Sequence, residues 1–296
     1  MEKLTRGEII DFLNNQKSIN SKISDLSGSN LSHEDLSKLD LNNVNLSNSI
    51  LEETNLCDTN LSNSNLSNVN LSNSNLSNAN LSNANLSNAN LSNTNLSNAN
   101  LNNANLSNAK LSNARLQETS LIEANLGRAR FYQANLSNAN LSNANLSETD
   151  LSNANLSNAN LRNTNLSKAN LTEANLTGAN LTEANLTGAN LTEANLTEAN
   201  LTKANLTKAS FLVYSKRSKC DANLSNANLE EAIICDANLN YVNLSNANLS
   251  GAILNGSNLS NANLSNATLC NTDFTGAKVY EINLNGAKLT DVIGLL

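Results

Sequence analysis

From Leu26 onward an apolar residue stands at every fifth position, through Leu31, Leu36 and Leu41 to Leu206 and Phe211, without one polar interruption. The series resumes at Leu224 and runs through Leu229, Ile234, Leu239, Phe274 and Val279 to Leu289. A period of five suits no helix: at about 100° per residue, successive leucines fall roughly 140° apart and scatter around the cylinder. An extended segment accommodates it. In Ala79-Asn80-Leu81-Ser82-Asn83, Ala79 and Leu81 are two apart and share one side, while Asn80 and Ser82 point to the other. The fifth residue, usually Asn, takes the turn, because Asn tolerates left-handed backbone geometry.

One such segment buries nothing alone. Coils must stack so that the leucines fill a common interior and backbone groups pair between coils. Alanine two residues before each leucine then follows from space, since only a small side chain fits beside leucine in a narrow tube. Thr54, Ser64, Thr94 and Thr164 replace it at some positions, and Val44 and Val69 at two others.

The Ala-Asn-Leu-Ser-Asn unit resembles the pentapeptide-repeat family, whose motif is Ala-Asp/Asn-Leu-X-X, over residues 26–211 and 222–290. The resemblance implies an all-β fold, a right-handed quadrilateral β-helix with four pentapeptides per coil. About fifty units at a coil spacing near 4.8 Å would make a rod about 60 Å long. We divide the chain into an N-terminal cap (1–25), a β-helix (26–213), an inserted loop (214–221), the β-helix continued (222–291) and an apolar tail (292–296).

Both ends of a stacked solenoid expose unpaired strand edges. At the N-terminus, Thr5 and Glu8 form a T-x-x-E capping box ahead of Ile9, Ile10, Phe12 and Leu13, which predicts a short helical cap laid on the first coil. At the other end, Val292, Ile293, Leu295 and Leu296 are read either as a plug or, as the family resemblance implies, as a homodimer contact.

The phase breaks once. Phe211 and Leu224 are 13 apart, so Tyr214 to Asp221 is an eight-residue insertion carrying Lys216, Arg217 and Lys219. A second departure spans Lys110 to Gln133, where bland units give way to Lys110, Arg115, Gln117, Glu118, Ile122, Glu123, Arg128, Arg130, Phe131 and Tyr132. Four units per coil would align Arg128, Glu148 and Lys168 in one column, Lys110, Arg130 and Asp150 in another, and Glu183 under Lys203. Exposed ladders of this kind contribute about 0–1 kcal/mol per pair. The other reading is a contact surface. The candidate partner-contact residues are Lys110, Arg115, Arg128, Arg130 and Tyr132, together with Tyr214, Lys216, Arg217 and Lys219 of the insertion.

Composition by itself misleads. Aromatics at 3%, charge at 15% and a surplus of Asn, Ser, Leu and Ala look like a low-complexity tract, and only the strict order of residues points instead to a fold. Twenty-five acidic and 18 basic residues leave a net −7, which is no footprint for direct nucleic-acid binding. No apolar run approaches the roughly 20 residues that cross a bilayer, and Met1 to Asn20 shows no secretory signal. Cys57, Cys220, Cys235 and Cys270 have no CxxC spacing and read as free thiols. Cys57, Cys235 and Cys270 each follow an inward residue and should face outward, with Cys235 and Cys270 on different faces, which argues against a disulfide. Asn-Leu-Ser and Asn-Leu-Thr acceptors throughout the chain argue against the secretory route, leaving a bacterial cytoplasm as the simplest location.

Catalytic chemistry has little to stand on. His33 is the only histidine and falls at an outward corner near the first coil. No second histidine completes a zinc site, no Ser/His/Asp or Cys/His set assembles, and Thr177-Gly178 and Thr187-Gly188 are corner variants rather than phosphate loops. Glu34-Asp35 and Glu230-Glu231 are neighbouring exposed acids. We expect no cofactor, no metal and no enzyme.

Two functions compete. The first is a non-enzymatic structural scaffold or protein-interaction rod with a protein partner and no membrane. The second follows from the resemblance: some members mimic duplex DNA and bind type II topoisomerases, with gyrase inhibition or quinolone protection as the outcome. Duplex DNA carries one charge per about 1.7 Å, hence roughly 35 over such a rod. This chain has a net −7, no charged residue from Thr59 to Ala109, and Asn where the family motif allows Asp. Ice binding by threonines 172 to 207 is a third, weak reading, since each Thr column is only about two coils deep.

Overall fold

The computed structural model describes residues 4–18, 24–211 and 222–295. The chain forms two compact units, Met1–Ala144 and Asn145–Leu296, each built by the same local rule.

In the first unit, helix α1 (Arg6–Ser18) precedes β1 (Ser24–Asp25), which pairs in parallel with β2 (Val44–Asn45). Beyond these, single parallel bridges join each residue before a leucine to its counterpart one coil on: Asn30 to Ile50, Asp35 to Asn55, Asp40 to Asn60 and Asn45 to Asn65. The four rows advance together by 20 residues, as in the Asn45–Asn65 step, so each coil has four sides of one pentapeptide each.

Each corner is a tight turn. The carbonyl of Leu81 accepts from the Ala84 N–H at 3.0 Å, and Asn83 between them has φ 58°. A positive φ at the third turn residue is what a type II turn demands, and Asn meets it at low cost. The same geometry is imposed on Lys38, Glu118, Glu123, Arg128 and Gln133, which carry no such preference.

The interior is continuous within each unit. Leu31 to Leu206 are buried, as are Phe131, Phe211 and Phe274, each removing about 1.5–3 kcal/mol worth of apolar surface from water. Where a hydroxyl replaces the inward alanine it finds a carbonyl: Thr54 Oγ1 donates to Leu31 O at 2.9 Å, Thr94 to Leu71 O at 2.8 Å and Thr119 to Leu96 O at 2.8 Å. A buried donor so satisfied costs little, which is why Ser and Thr are tolerated there.

The second unit repeats this plan around the insertion. Asn195 bridges Asn223 and Asn205 bridges Ile233, a step eight residues longer than the coil, and the coil period returns from Asn223 to Asn243. The four rows therefore stay in register across the insertion. Residues 212–221, including Tyr214, Lys216, Arg217, Lys219 and Cys220, lie outside the described residues.

Helix α1 is held by named contacts. Thr5 N–H donates to Glu8 Oε2 at 2.8 Å and Glu8 N–H to Thr5 Oγ1 at 3.4 Å, a reciprocal capping box at the start of α1. Leu4 N–H donates to Asn30 O at 3.0 Å, Ile9 is buried, and the Arg6 guanidinium donates to the carbonyls of Asp35 and Ser37.

Candidate interaction surface

Outside the apolar interior, the dominant chemistry is an asparagine ladder. Along one face of the first unit, Asn45 Nδ2 donates to Asp25 Oδ1 at 2.9 Å, Asn65 to Asn45 at 3.1 Å, Asn85 to Asn65 at 3.3 Å, Asn105 to Asn85 at 3.3 Å and Asn125 to Asn105 at 3.2 Å. Each Oδ1 also accepts the N–H two residues on, as Ser47 N–H reaches Asn45 Oδ1 at 3.2 Å. Such a surface is polar, neutral and internally satisfied, so it offers little for a partner to grip.

The ladder breaks at Ile50 and Ser120, and on two faces it gives way to charge. On the adjoining face the rung from Asn90 to Asn70 at 2.9 Å is followed by Lys110 and then Arg130, which bridge each other directly. On the next face the rung from Asn95 to Asn75 at 3.1 Å is followed by Arg115. The corner Leu111-Ser112-Asn113 separates Lys110 from Arg115, and Tyr132 sits over it, its carbonyl accepting the Asn113 N–H at 2.9 Å. Lys110, Arg115, Arg130 and Tyr132 thus gather about one edge of the first unit, all exposed, Tyr132 by 41%. Arg128 flanks them one turn earlier. Of the sequence-selected contact residues these five come together, and the four of the insertion lie outside the described residues.

Among the described residues, ion pairs form away from Lys110, Arg115 and Arg130. Arg6 lies 3.9 Å from Asp35, His33 Nδ1 3.2 Å from Glu53, Arg162 3.5 Å from Glu183 and Lys203 3.3 Å from Glu231. The Glu183–Lys203 column is thus present in the backbone, where Glu183 N–H donates to Thr202 O at 2.9 Å, but both side chains turn to other partners. His33 occupies a turn with φ 60° and faces a carboxylate. No cluster of three or more metal-ligating side chains occurs among the described residues. Cys57, Cys235 and Cys270 are free and half-buried, and burial pushes the Cys235 thiol up.

Two further surfaces escape a reading that tracks charge alone. Ile233 and Ile253 stand at bridge positions normally held by Asn, 39% and 38% exposed. Their signal was an apolar residue immediately before the inward one. The last coil is open: Val279, Ile282, Leu284, Leu289, Val292, Gly294 and Leu295 line a cavity of about 560 Å³. Leu289 and Ile293 are 51% and 58% exposed at this end. Ile293 continues the bridge row of Asp273.

These features place the chain in a class of proteins, the four-sided solenoids built from five-residue units. The pentapeptide-repeat family profile matches residues 24–63, 64–103, 99–138, 139–178, 174–211, 221–256 and 252–291, and the chain belongs to that family. The right-handed winding of the coils goes with that membership. Among solved structures the chain is similar to HetL, a pentapeptide repeat protein involved in heterocyst differentiation regulation in the cyanobacterium Nostoc, at 27% identity over 98% of this chain and 96% of that one, with a TM-score of 0.28. It is also similar to a pentapeptide repeat protein of the Arabidopsis thaliana thylakoid lumen, at 33% identity over 33% of this chain and 63% of that one, with a TM-score of 0.30. QnrB1, a plasmid-mediated fluoroquinolone resistance protein, matches at 22% identity over 58% of this chain and 89% of that one, with a TM-score of 0.34. No curated protein matches the chain.

Proposed function

We propose that the protein is a non-enzymatic interaction scaffold whose β-helical coils hold a small recognition surface in fixed geometry. The observation that carries this reading is the contrast between the internally satisfied asparagine faces and the charged edge at Lys110, Arg115, Arg130 and Tyr132. Membership of the pentapeptide-repeat family supports a structural or interaction role. The test is proximity labelling in the source cell, followed by recombination of each labelled protein with the purified chain. A stoichiometric complex with one of them supports the scaffold, and a purified chain that binds none of them overturns it.

A homodimer through the C-terminal end is a second element of the proposal, favoured by the open apolar coil around Leu289 and Val292. Topoisomerase binding by DNA mimicry stands as the alternative, with the charge deficit against it. It predicts gyrase inhibition by micromolar protein, where the scaffold reading predicts none. No helix among the described residues is long and apolar enough to cross a membrane. A reducing, cytoplasmic setting is the location we infer, supported by the free thiols.

A further inference from the structure

The edge at Lys110 gives up side-chain rungs, as Ile50 and Ser120 do on other stretches, but here the replacements are like charges. Two side-chain ladders end at Asn90 and Asn95, although the backbone bridges continue through Lys110 to Arg130 and through Arg115 to Asn135. Each lost rung forgoes a side-chain hydrogen bond. Lys110 and Arg130 then stand as directly bridged neighbours about 5 Å apart, an arrangement that like charges disfavour. Neither they nor Arg115 has an ion-pair partner among the described residues. They are also the first basic side chains after Lys38, beyond a charge-free stretch from Thr59 to Ala109. The backbone below them is rigid, with Arg130 N–H donating to Ala109 O at 2.9 Å and Leu111 N–H to Arg130 O at 2.7 Å.

We propose that the edge formed by Lys110, Arg130, Tyr132 and Arg115 docks an acidic protein segment, a refinement that rests on the scaffold reading above. Arginine forks take carboxylates bidentately, lysine adds a point charge, and Tyr132 supplies an amphipathic ring between the two charged faces. The footprint covers two coils and two faces. That is enough for a few carboxylates and far short of the basic track that a nucleic-acid backbone needs, on a chain that is itself net negative.

The probe is a fluorescein-labelled glutamate-rich peptide titrated with the full-length chain at low salt, beside a labelled single-stranded oligonucleotide. The informative variant is Lys110→Asn with Arg130→Asn, because asparagine is the residue the ladder accommodates at these positions and the fold should be kept. We expect the wild type to bind the peptide in preference to the oligonucleotide. The variant should lose at least about tenfold in peptide affinity at an unchanged or higher melting temperature. Equal peptide binding by wild type and variant, no binding by either, or an oligonucleotide held as tightly as the peptide overturns the proposal. The partner recovered by proximity labelling separates the two claims. If the double variant still holds it, the scaffold reading stands and this edge is not its site. If the wild type holds no partner, the scaffold reading itself fails.

Discussion

The side-chain amide of Asn65 donates to Oδ1 of Asn45, one coil away on the same face, at 3.1 Å. Because an amide both donates and accepts, the relationship can be repeated indefinitely, whereas a carboxylate can only end it. The aspartates at this position obey that logic. Asp25, Asp35 and Asp40 begin three of the four ladders among the described residues of the first unit, receiving Asn45, Asn55 and Asn60, each at 2.9 Å. Replacing Asn85 by Asp inside a ladder leaves Asn65 Oδ1 facing a charge with no donor. We expect a loss of about 1–3 kcal/mol, read by denaturant unfolding. Asp40→Asn should stay within about 0.5 kcal/mol of wild type.

The corners set a second expectation. Asn83 sits at φ 58°, and so does Glu123. A β-branched residue is strained there, so Asn83→Val should lower stability by about 1–2 kcal/mol. Glu123→Asn should raise it by a few tenths, because Asn enters the left-handed region more readily than Glu. Thermal unfolding of the two variants side by side gives the comparison.

Acid should release the N-terminal cap before the coils. The Thr5 backbone N–H, then its hydroxyl, hold Glu8 below the usual carboxylate range. The Ser27 backbone does the same for Asp25, and Ser37, with Arg6 adding its charge, for Asp35. Carboxyls depressed in the folded state stabilise it fully above their ordinary range, and that contribution is lost as pH falls through the depressed values. The cap should therefore loosen below about pH 4, while the charge-free coils from Thr59 to Ala109 persist. Pepsin digestion at about pH 3 should cut first near α1, and Glu8→Gln, which keeps the box but cannot titrate, should remove the Glu8 share of the pH dependence.

The open last coil predicts self-association. Leu289 is 51% exposed beside Val292 and Ile282 in the apolar mouth. Light scattering against concentration should show a dimer that Leu289→Asp converts to monomer with its melting temperature little changed. A wild type that stays monomeric rules the dimer out.

Much of the fold is legible in the sequence because the pattern repeats without a phase error. The inward leucines, the small residue beside them, the turn at Asn83 and the capping box at Thr5 all follow from spacing and backbone preference. The insertion can be sized from the gap between Phe211 and Leu224, and the bridge from Asn195 to Asn223 accounts for the same eight residues. Side-chain choices among equivalent neighbours are not legible. Glu183 reaches Arg162 rather than Lys203, since the repeat fixes Cα positions and leaves long flexible side chains several partners at similar cost. The threonine coils reroute the ladder too: Thr172 Oγ1 donates to Asn170 Oδ1 at 2.7 Å, and Asn190 then donates to Thr172 at 2.9 Å instead. The gathering of Lys110, Arg115, Arg130 and Tyr132 at one edge needs both the coil length and the turn geometry.

The most direct test of a scaffold that recognises its partner at this edge is site-specific photocrosslinking in the cell. A photoreactive residue replaces Tyr132 in one strain and Ser87, on a plain asparagine coil, in another. We predict a discrete adduct with one protein from position 132 and none from position 87. Adducts of equal yield at both positions, or none at position 132, would contradict recognition at this edge.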